Sequence, residues 1–400
     1  MKFILGTDIG NDKMKALEPN METVFKMPNV YRKILKPSPS HEINIEKNVV
    51  NLLEQLVVHV TSGAIRFGGM YAIGEKALET TNGLKNMNIS SEKKHTSDLP
   101  LINTLGYIAG RAVQMDYAEK KTLSEEIKVE TYLSCAIPAG QHNTDTATHL
   151  ENRFLKNKHI VIVYVGNEQV TVNITFKKVK VLKEGVPALY SIIEGEKEMF
   201  DEFVKTYNLT NITGKYFTDK KIMHNDIGSG TIEYIYTVGV NPRPNQCTGE
   251  RFGVGHAIQS AIELMAEERE GLKINRQQFA KIIENPDQYP KDSELAVNCL
   301  AEARLMQIDL IQGDLEDKYN TIMNGEPEII AVYGGGSIEF KEEMYDMLKD
   351  FADGVNAQVL WIPSKYAVEM NVKGLDFLNK KILFKEEYSE LEKYREEEDE

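Results

Sequence analysis

The stretch IMHNDIGSGTIEYIY, residues 222–236, contains an Asp-x-Gly turn between two runs of β-branched and aromatic residues. A hairpin between two strands is the simplest interpretation of such a pattern. The same pattern opens the chain, where KFILGTDIG, residues 2–10, has Asp8 and Gly10 in the places of Asp226 and Gly228. A strand-like run enters each turn and a second β-rich run leaves it. The repetition predicts one structural unit used twice.

Length and composition limit the class of protein. A chain of 400 residues is too long for one small core, so two or more domains are expected. The formal net charge of −14 argues against direct binding to the DNA backbone, which requires a basic face. No apolar run is long enough to predict a membrane span. Cys135, Cys247 and Cys299 lie far apart, and we expect buried, reduced thiols in a cytoplasmic chain.

Hydrophobic periodicity predicts the remaining elements. The last fifteen residues, from Glu386, hold nine acidic and two basic side chains, which predicts a helix with a solvated end. The other predicted elements are strands within 2–30, a helix over 99–120, strands over 126–140 and 159–185, helices over 186–204 and much of 246–325, a buried strand over 328–336, a helix over 342–354 and a strand over 357–364.

Three glycine-containing turns carry the candidate chemistry. Glycines in such turns let backbone N–H groups approach an anion, and a strand-to-helix turn directs a helix N-terminus at it. The third turn lies in VYGGGSIEF, residues 332–340. The candidate binding residues are Asp8, Gly10, Asn11, Asp12, Lys13 and Lys15 in the first turn, Asp226, Gly228, Ser229, Gly230 and Thr231 in the second, and Gly334, Gly335, Gly336 and Ser337 in the third.

The charges in these turns favour a nucleotide with its metal ion. Asp8 and Asp226 would repel a bare phosphate, but carboxylates suit a Mg²⁺ shell in which waters mediate the contact. A lysine in the first turn would add a positive charge for the phosphates. The chain has no G-x-x-x-x-G-K-[ST] sequence, which excludes a P-loop enzyme, and no G-x-G-x-x-G after its first strand, which weakens a Rossmann interpretation.

Taken together, the motifs resemble the ATPase superfamily of actin, sugar kinases and heat-shock chaperones, and within it most of all the plasmid-segregating bacterial actins of the ParM type. The likeness covers nearly the whole chain in order and is weakest over 31–95 and 246–320. The matching segments are TDIGNDKMK and NDIGSGTIEY for the two phosphate hairpins, VYGGGS for the adenosine loop, LSCAIPAGQ, VKVLKEGVPALYSII and AVEMNVKGL.

The resemblance implies an α/β, actin-like (ribonuclease H-like) fold with two similar domains around a nucleotide cleft, each with an inserted subdomain. The implied boundaries are 1–30, 95–194 and 362–400 for the first core, 31–94 for its insert, 195–245 and 321–361 for the second core, and 246–320 for its helical insert.

The resemblance also implies roles for particular residues. Glu184 would orient the water that attacks the γ-phosphate, with Asp8 and Asp226 acting on Mg²⁺ through water. Arg276 and Gln278 would edge the adenine pocket.

Two departures from the family pattern concern the first turn. Asn11 and Asp12 stand where many relatives have Ser, Thr or Gly, so a hydroxyl contact to the γ-phosphate is missing unless Ser229 supplies it. Strand alternation is expected to decide whether Lys13 or Lys15 faces the phosphates, and Lys15 matches the family's lysine better.

By resemblance, the protein would bind ATP, or GTP, with Mg²⁺ and polymerise into dynamic filaments in the bacterial cytoplasm. The filament would segregate plasmid DNA through a DNA-binding adaptor of the ParR type bound to a plasmid centromere, without direct nucleic-acid or membrane contact. The alternatives are a non-polymerising kinase of the same superfamily, a nucleotide-binding scaffold without turnover, and a cell-shape protein. The absence of a sugar-kinase signature and of an amphipathic N-terminal helix weighs against the first and the last.

Overall fold

The computed structural model describes residues 1–19, 21–37, 39, 41–80, 82–87, 92–269, 271–274 and 276–396. The strands of this part of the chain are β1 Lys2–Ile9, β2 Lys13–Leu17, β3 Phe25–Pro28, β4 Tyr31–Ile34, β5 Val57–Ser62, β6 Gly69–Ile73, β7 Leu84–Lys85, β8 Glu126–Ile137, β9 His159–Val165, β10 Glu168–Lys183, β11 Lys221–Ile227, β12 Ile232–Val238, β13 Asn241–Pro242, β14 Thr248–Glu250, β15 Ile329–Tyr333 and β16 Gln358–Trp361.

The helices are α1 Ile45–Val50, α2 Glu75–Leu78, α3 Leu99–Lys120, α4 Thr144–Leu155, α5 Val186–Ile193, α6 Asp201–Thr206, α7 Val254–Glu268, α8 Arg276–Glu284, α9 Pro290–Asp317, α10 Gly335–Gly354, α11 Ser364–Ala367, α12 Met370–Leu378 and α13 Lys385–Glu396. The chain divides into two units. Unit 1 comprises Met1–Tyr190 and Asn371–Glu400, and unit 2 comprises Ser191–Met370.

Unit 1 is built on a ten-stranded sheet in the order β3-β2-β1-β8-β10-β9-β5-β6-β4-β7. β1, β8 and β10 are parallel, whereas β2 pairs antiparallel with β1 as a hairpin. β8 alternates buried and exposed residues at its start and is buried throughout near its end. Such a change marks a strand that becomes covered on both faces. The carboxyl ends of the three parallel strands therefore meet at one edge of the sheet.

Unit 2 repeats the pattern with a smaller sheet in the order β13-β12-β11-β15-β16, and β14 also pairs with β12. β11, β15 and β16 are parallel, and β12 forms an antiparallel hairpin with β11. Each unit thus has an antiparallel hairpin at one side of a parallel sheet. The first strand of the hairpin and the two strands that follow it in the sheet order are parallel to one another. The sequence prediction of one unit used twice is confirmed in the sheet topology.

The strands of the predicted first insert extend the sheet of unit 1. β4, β5, β6 and β7 join it because β5 pairs antiparallel with β9 from Val58 to Ser62. The exact boundaries predicted for the two inserts and the two cores stay predictions.

The predicted elements are otherwise found close to where the sequence placed them. Residues 2–30 form three strands, 99–120 form α3, and the stretch 342–354 forms the later part of α10. The three cysteines are buried and unbridged. No helix in the described part of the chain combines the length and the apolar character that a membrane span requires.

The C-terminal helix α13 is docked at its start, whereas the last predicted residues, 397–400, lie outside the described part. Tyr388 is buried against Ile4 and Phe384. Glu387 and Glu390 form ion pairs from the same helix, with Lys178 and Lys2 respectively. The acidic composition thus does not leave the first turns of α13 in solvent.

Burial raises the pKa of Asp376, on α12, to about 6. The folded state therefore retains a proton that the unfolded chain releases at lower pH, so this residue lowers the free energy of unfolding as the pH rises from about 4 to about 6. At about 1.4 kcal/mol per pKa unit, Asp376→Asn should be more stable than wild type by about 1–3 kcal/mol at neutral pH and above. No gain is expected near pH 4.

Urea unfolding at the two pH values measures this difference. The matched control is Asp346→Asn, at an exposed position of α10. A gain for Asp376→Asn that is the same at both pH values would contradict the prediction.

Candidate functional site

The first hairpin places a carboxylate and an ammonium group side by side. Asp8, near the end of β1, lies opposite Lys15 on β2, and the Lys15 Nζ donates to Asp8 Oδ2 at 2.7 Å. Asp8 is only 4% exposed, whereas Lys13 is exposed. Lys13 and Lys15 are two residues apart and so project from the same face of the strand, which means that alternation cannot distinguish them. The pairing across the hairpin selects Lys15 as the partner of Asp8.

Asn29 stabilises the turn of the first hairpin through hydrogen bonds to its backbone. Its Nδ2 donates to the carbonyl oxygen of Gly10 at 2.7 Å, and its backbone N–H donates to the carbonyl of Asp12 at 2.7 Å. Asn103 on α3 in turn donates to Asn29 Oδ1 at 2.7 Å. A Cβ on Gly10 would lie 2.7 Å from the carbonyl oxygen of Lys13, so the tight turn requires glycine there. The sequence carried no motif that pointed to Asn29.

Asn29→Ala should destabilise unit 1 by about 1–3 kcal/mol, because it leaves the Gly10 carbonyl and the Asn103 amide without their buried partner. Urea unfolding followed by circular dichroism measures the loss. Asn11→Ala, at the half-exposed tip of the same turn, is the control and should stay within about 0.5 kcal/mol of wild type. Equal stability of the two variants would contradict the role assigned to Asn29.

Glu184 follows β10 and lies at the same edge of the sheet as the end of β1. Its backbone N–H donates to the carbonyl of Ile137, the last residue of β8, at 2.8 Å. The next N–H, of Gly185, donates to Asn371 Oδ1 at 3.0 Å. The side chain is buried, and Lys94 Nζ donates to its Oε1. Backbone contacts on both sides therefore fix where this carboxylate lies.

Asp8, Lys15, Lys94 and Glu184 form one group, which we call the carboxylate–lysine cluster. Burial is the main cause that raises the pKa of Glu184, and the charge of Asp8 raises it further. The charges of Lys94 and Lys15 lower it. The cluster thus combines two carboxylates and two ammonium groups, and its charges sum to zero when all are ionised. Lys94 is the member that sequence reasoning missed.

The donor set of this cluster fits a magnesium ion that arrives with a nucleotide. The described residues include no group of three or more His, Cys, Asp or Glu side chains arranged to hold a metal ion. Mg²⁺ usually keeps several waters and is held by one or two carboxylates together with phosphate oxygens. The single carboxylate of Asp8 suits that arrangement and does not suit an ion held by protein alone.

The second hairpin, β11–β12, closes on a turn that is docked against α7. The N–H of Gly228 donates to the carbonyl of Thr231 at 2.9 Å. The carbonyl of Gly228 accepts from Val254 N–H at 3.2 Å, and that of Ser229 accepts from Gly255 N–H at 2.7 Å. Two N–H groups at the N-terminus of α7 therefore fix the carbonyl groups of the turn. Asp226 is half-buried one strand position before Ile227 and lies opposite Glu233 on β12.

The third turn contains Gly334, Gly335 and Gly336, and we call it the triglycine turn. It packs directly against the second hairpin. Gly334 has a φ of +93°, and a Cβ there would lie 2.5 Å from Asp226 Oδ1 and 2.5 Å from the carbonyl oxygen of Ile227. A Cβ on Gly335 would meet nothing within 4 Å. Ser337 is buried and its Oγ donates to the carbonyl of Gly334 at 2.8 Å. The second and third predicted turns thus meet in unit 2.

We call this second group the glycine cluster. Its members are Asp226, Gly228, Ser229, Gly230, Thr231, Gly334, Gly335, Gly336 and Ser337. The N-terminus of α10 lies in it and carries partial positive charge and directed N–H groups, whereas the N–H groups of Val254 and Gly255 at the start of α7 already donate to the turn. The cluster therefore has the character of an anion-binding site.

The remaining candidates lie at the tip of the first turn and on α8. Asn11 is half-exposed and Asp12 is exposed at the tip of the first turn. Gln278 is exposed on α8, and the side chain of Arg276, at the start of that helix, lies outside the described residues. His224, on β11, is buried beside Thr237 Oγ1 at 3.1 Å, and burial lowers the pKa of the imidazole to about 3. His224 is therefore a neutral residue inside the sheet of unit 2.

Solved structures with the same fold were found by comparison. The actin-like protein Alp7A matches 98% of this chain and 100% of its own, with a TM-score of 0.65 and 16% identity. ParM of Bacillus thuringiensis with ATP matches 94% of this chain and 98% of its own, with a TM-score of 0.59 and 15% identity. Ta0583, an archaeal actin homolog, matches 94% and 99%, with a TM-score of 0.60 and 13% identity.

The Bacillus thuringiensis protein has also been solved with AMPPNP and with ADP. No protein-family model matches the sequence of the present chain, and a comparison with curated proteins finds no match either. The likeness is therefore one of structure. The chain has the actin-like fold, which confirms the fold class that the resemblance implied.

Proposed function

We propose that the protein is an actin-like ATPase, which binds ATP or GTP with Mg²⁺, hydrolyses the γ-phosphate and assembles into filaments. The observation that carries the proposal is the carboxylate–lysine cluster. It places the buried carboxylate of Glu184 near Asp8 and Lys15 at the carboxyl ends of parallel strands. Ligands of α/β sheets bind at such edges.

In this proposal, three residues of the cluster have separate tasks in binding and hydrolysis. Lys15 supplies a positive charge for the β- and γ-phosphates, and Asp8 contacts the ion through water. Glu184 accepts a hydrogen bond from the attacking water and aligns it with the γ-phosphorus. When bound, Mg²⁺ neutralises charge on the phosphate oxygens.

The glycine cluster would bind the nucleotide through its backbone. The N–H groups of the turn after Asp226 and of the triglycine turn approach an anion without an intervening Cβ. The exposed position of Gln278 is compatible with an edge of the adenine pocket, the role that the resemblance gives to Arg276 and Gln278.

The proposed cellular role is plasmid segregation in the bacterial cytoplasm. Head-to-tail contacts between identical subunits produce fibres when the rotation between subunits does not close into a ring, and we propose such open contacts here. The net charge of −14 disfavours a direct grip on DNA, which is why we propose a basic adaptor of the ParR type as the link to the plasmid. The structures of ParM and Alp7A with the same fold support the filament part of the proposal.

Sedimentation and phosphate release, measured together on the wild-type protein with ATP and Mg²⁺, test the proposal. We expect the protein to pellet after ATP is added and then to release phosphate as the pellet declines. Phosphate release without a pellet over a wide range of protein concentration would retain the ATPase and exclude the filament. A pellet or bound nucleotide without phosphate release would instead indicate a scaffold.

A further inference from the structure

Lys94 lies in a segment that is firmly held before α3. The guanidinium group of Arg153, on α4, donates to the carbonyl oxygens of His95 at 3.2 Å and Ser97 at 2.5 Å. It also forms an ion pair with Asp98 at 2.5 Å. The backbone N–H of Lys94 donates to Gln141 Oε1 at 3.0 Å. Because its backbone is anchored in this way, the side chain of Lys94 is held in one position, next to the carboxylate of Glu184.

Lys94 and Glu184 form a buried ion pair. The side chains of Lys94 and Glu184 are 4% and 9% exposed. A buried ion pair is weak evidence for stability, because removing two charges from water offsets most of their attraction, and apolar residues of similar size often serve as well. A buried lysine and glutamate that are joined across ninety residues of sequence therefore point to a role beyond stability.

The charged and titratable groups around Glu184 come from three strands and from the segment before α3 that contains Lys94. Asp8 on β1 is a like charge, and Lys15 on β2 is already paired with Asp8. Cys135 on β8 is neutral at physiological pH, because burial raises the pKa of its thiol to about 12. Among the contacts of the described residues, Lys94 is thus the cation that donates directly to Glu184. Without it, burial and Asp8 would both favour the protonated carboxyl group.

We propose that Lys94 is a positioning residue, whose ammonium group keeps the Glu184 carboxylate ionised. By holding Oε1, it leaves Oε2 to accept a hydrogen bond from the attacking water. The inference rests on the proposed hydrolysis for its catalytic part. The claim that Lys94 keeps Glu184 ionised concerns the nucleotide-free protein and is tested separately.

The first test is a titration of the Glu184 carboxyl carbon by NMR on protein labelled with ¹³C at glutamate, with Glu184→Gln to assign the signal. In Lys94→Gln, which keeps a hydrogen-bond donor but removes the charge, the midpoint should move to higher pH by about one unit or more. Lys94→Arg keeps the charge and should stay near wild type. An unchanged midpoint in Lys94→Gln overturns the proposal, whatever the protein hydrolyses.

The second test is steady-state hydrolysis. At neutral pH, kcat of Lys94→Gln should fall about tenfold for each unit by which the midpoint exceeds the working pH, and it should recover as the pH is raised. Binding of a non-hydrolysable ATP analogue should not change, and Lys94→Arg should restore most of the rate. A loss of kcat that is equal at every pH indicates a structural role and overturns the proposal.

The controls separate this inference from the proposed function. Circular dichroism and thermal unfolding of each variant establish that it is folded, and Lys94→Met provides an apolar replacement if Lys94→Gln does not fold. If the wild-type protein releases no phosphate, the proposed function fails while the NMR titration still decides whether Lys94 controls Glu184. If the wild-type protein hydrolyses ATP and Lys94→Gln does so equally well, only the role of Lys94 fails.

Discussion

Glu184→Gln should lower the rate of phosphate release by about 10²-fold or more, because groups that assist proton transfer and orient water contribute about 10²–10⁴-fold to such reactions. The amide has nearly the shape of the carboxylate, but when its oxygen accepts from Lys94 its NH2 group occupies the other position and cannot accept a hydrogen bond from the water. Nucleotide affinity should stay within about twofold of wild type, since the lost interaction belongs to the transition state. Phosphate release and binding of a non-hydrolysable ATP analogue measure the two effects.

Glutamine is preferred to alanine here because its carbonyl oxygen can still accept from the buried Lys94 Nζ. Removing that acceptor entirely would leave a buried charge unpaired, which typically costs about 3–5 kcal/mol of stability. Glu194→Gln, at an exposed position, is the matched control and should hydrolyse at the wild-type rate. If Glu184→Gln hydrolyses as fast as this control, Glu184 does not orient the attacking water.

Slower hydrolysis should also change the assembly. In the proposed cycle, loss of the γ-phosphate makes filaments labile, so Glu184→Gln should pellet with ATP and remain in the pellet longer than wild type. A mutant pellet that declines at the wild-type rate would separate filament turnover from hydrolysis.

Gly334→Ala should destabilise unit 2 by about 2–4 kcal/mol, since it combines an unfavourable left-handed backbone with overpacking. At a φ of +93°, the new Cβ would lie 2.5 Å from Asp226 Oδ1 and from the carbonyl oxygen of Ile227. Relief of these contacts requires the triglycine turn to move away from the second hairpin. We therefore also expect nucleotide affinity to fall about tenfold or more, because this turn is proposed to bind the nucleotide.

The neighbouring glycine provides the control. A Cβ on Gly335 meets nothing within 4 Å, so Gly335→Ala should keep wild-type stability to within about 0.5 kcal/mol. The single tryptophan reports on this region, because Trp361 Nε1 donates to the carbonyl of Ser337 at 3.2 Å. Tryptophan fluorescence during urea unfolding gives the stability, and titration with a fluorescent nucleotide gives the affinity. Equal stability of the two variants would contradict the clash inferred at Gly334.

Local sequence patterns were sufficient for the hairpins and the repeated unit. Asp8 and Asp226 were found from an Asp-x-Gly turn between β-rich runs, and the structure places both near the end of the first strand of a hairpin. Glu184 was assigned from a resemblance, and its role stays a prediction. The structure adds that it is buried at the same sheet edge as Asp8.

Asn29 and Lys94 could not be found in the same way. Each acts on a residue far away along the chain, Asn29 on Gly10 and Lys94 on Glu184, and neither lies in a motif. Strand alternation could not separate Lys13 from Lys15, because both project from one face of β2. The family resemblance favoured Lys15, and the pairing across the hairpin places Lys15 beside Asp8.

The sequence by itself determined the two hairpins, the long helices and strands that it predicted, and their repetition, because strand periodicity and turn-forming residues act over a few neighbouring positions. Only the tertiary structure decided which charges meet, how deeply Glu184 is buried and why Gly334 must lack a side chain. These properties depend on desolvation and on contacts between distant segments, and no local pattern carries that information.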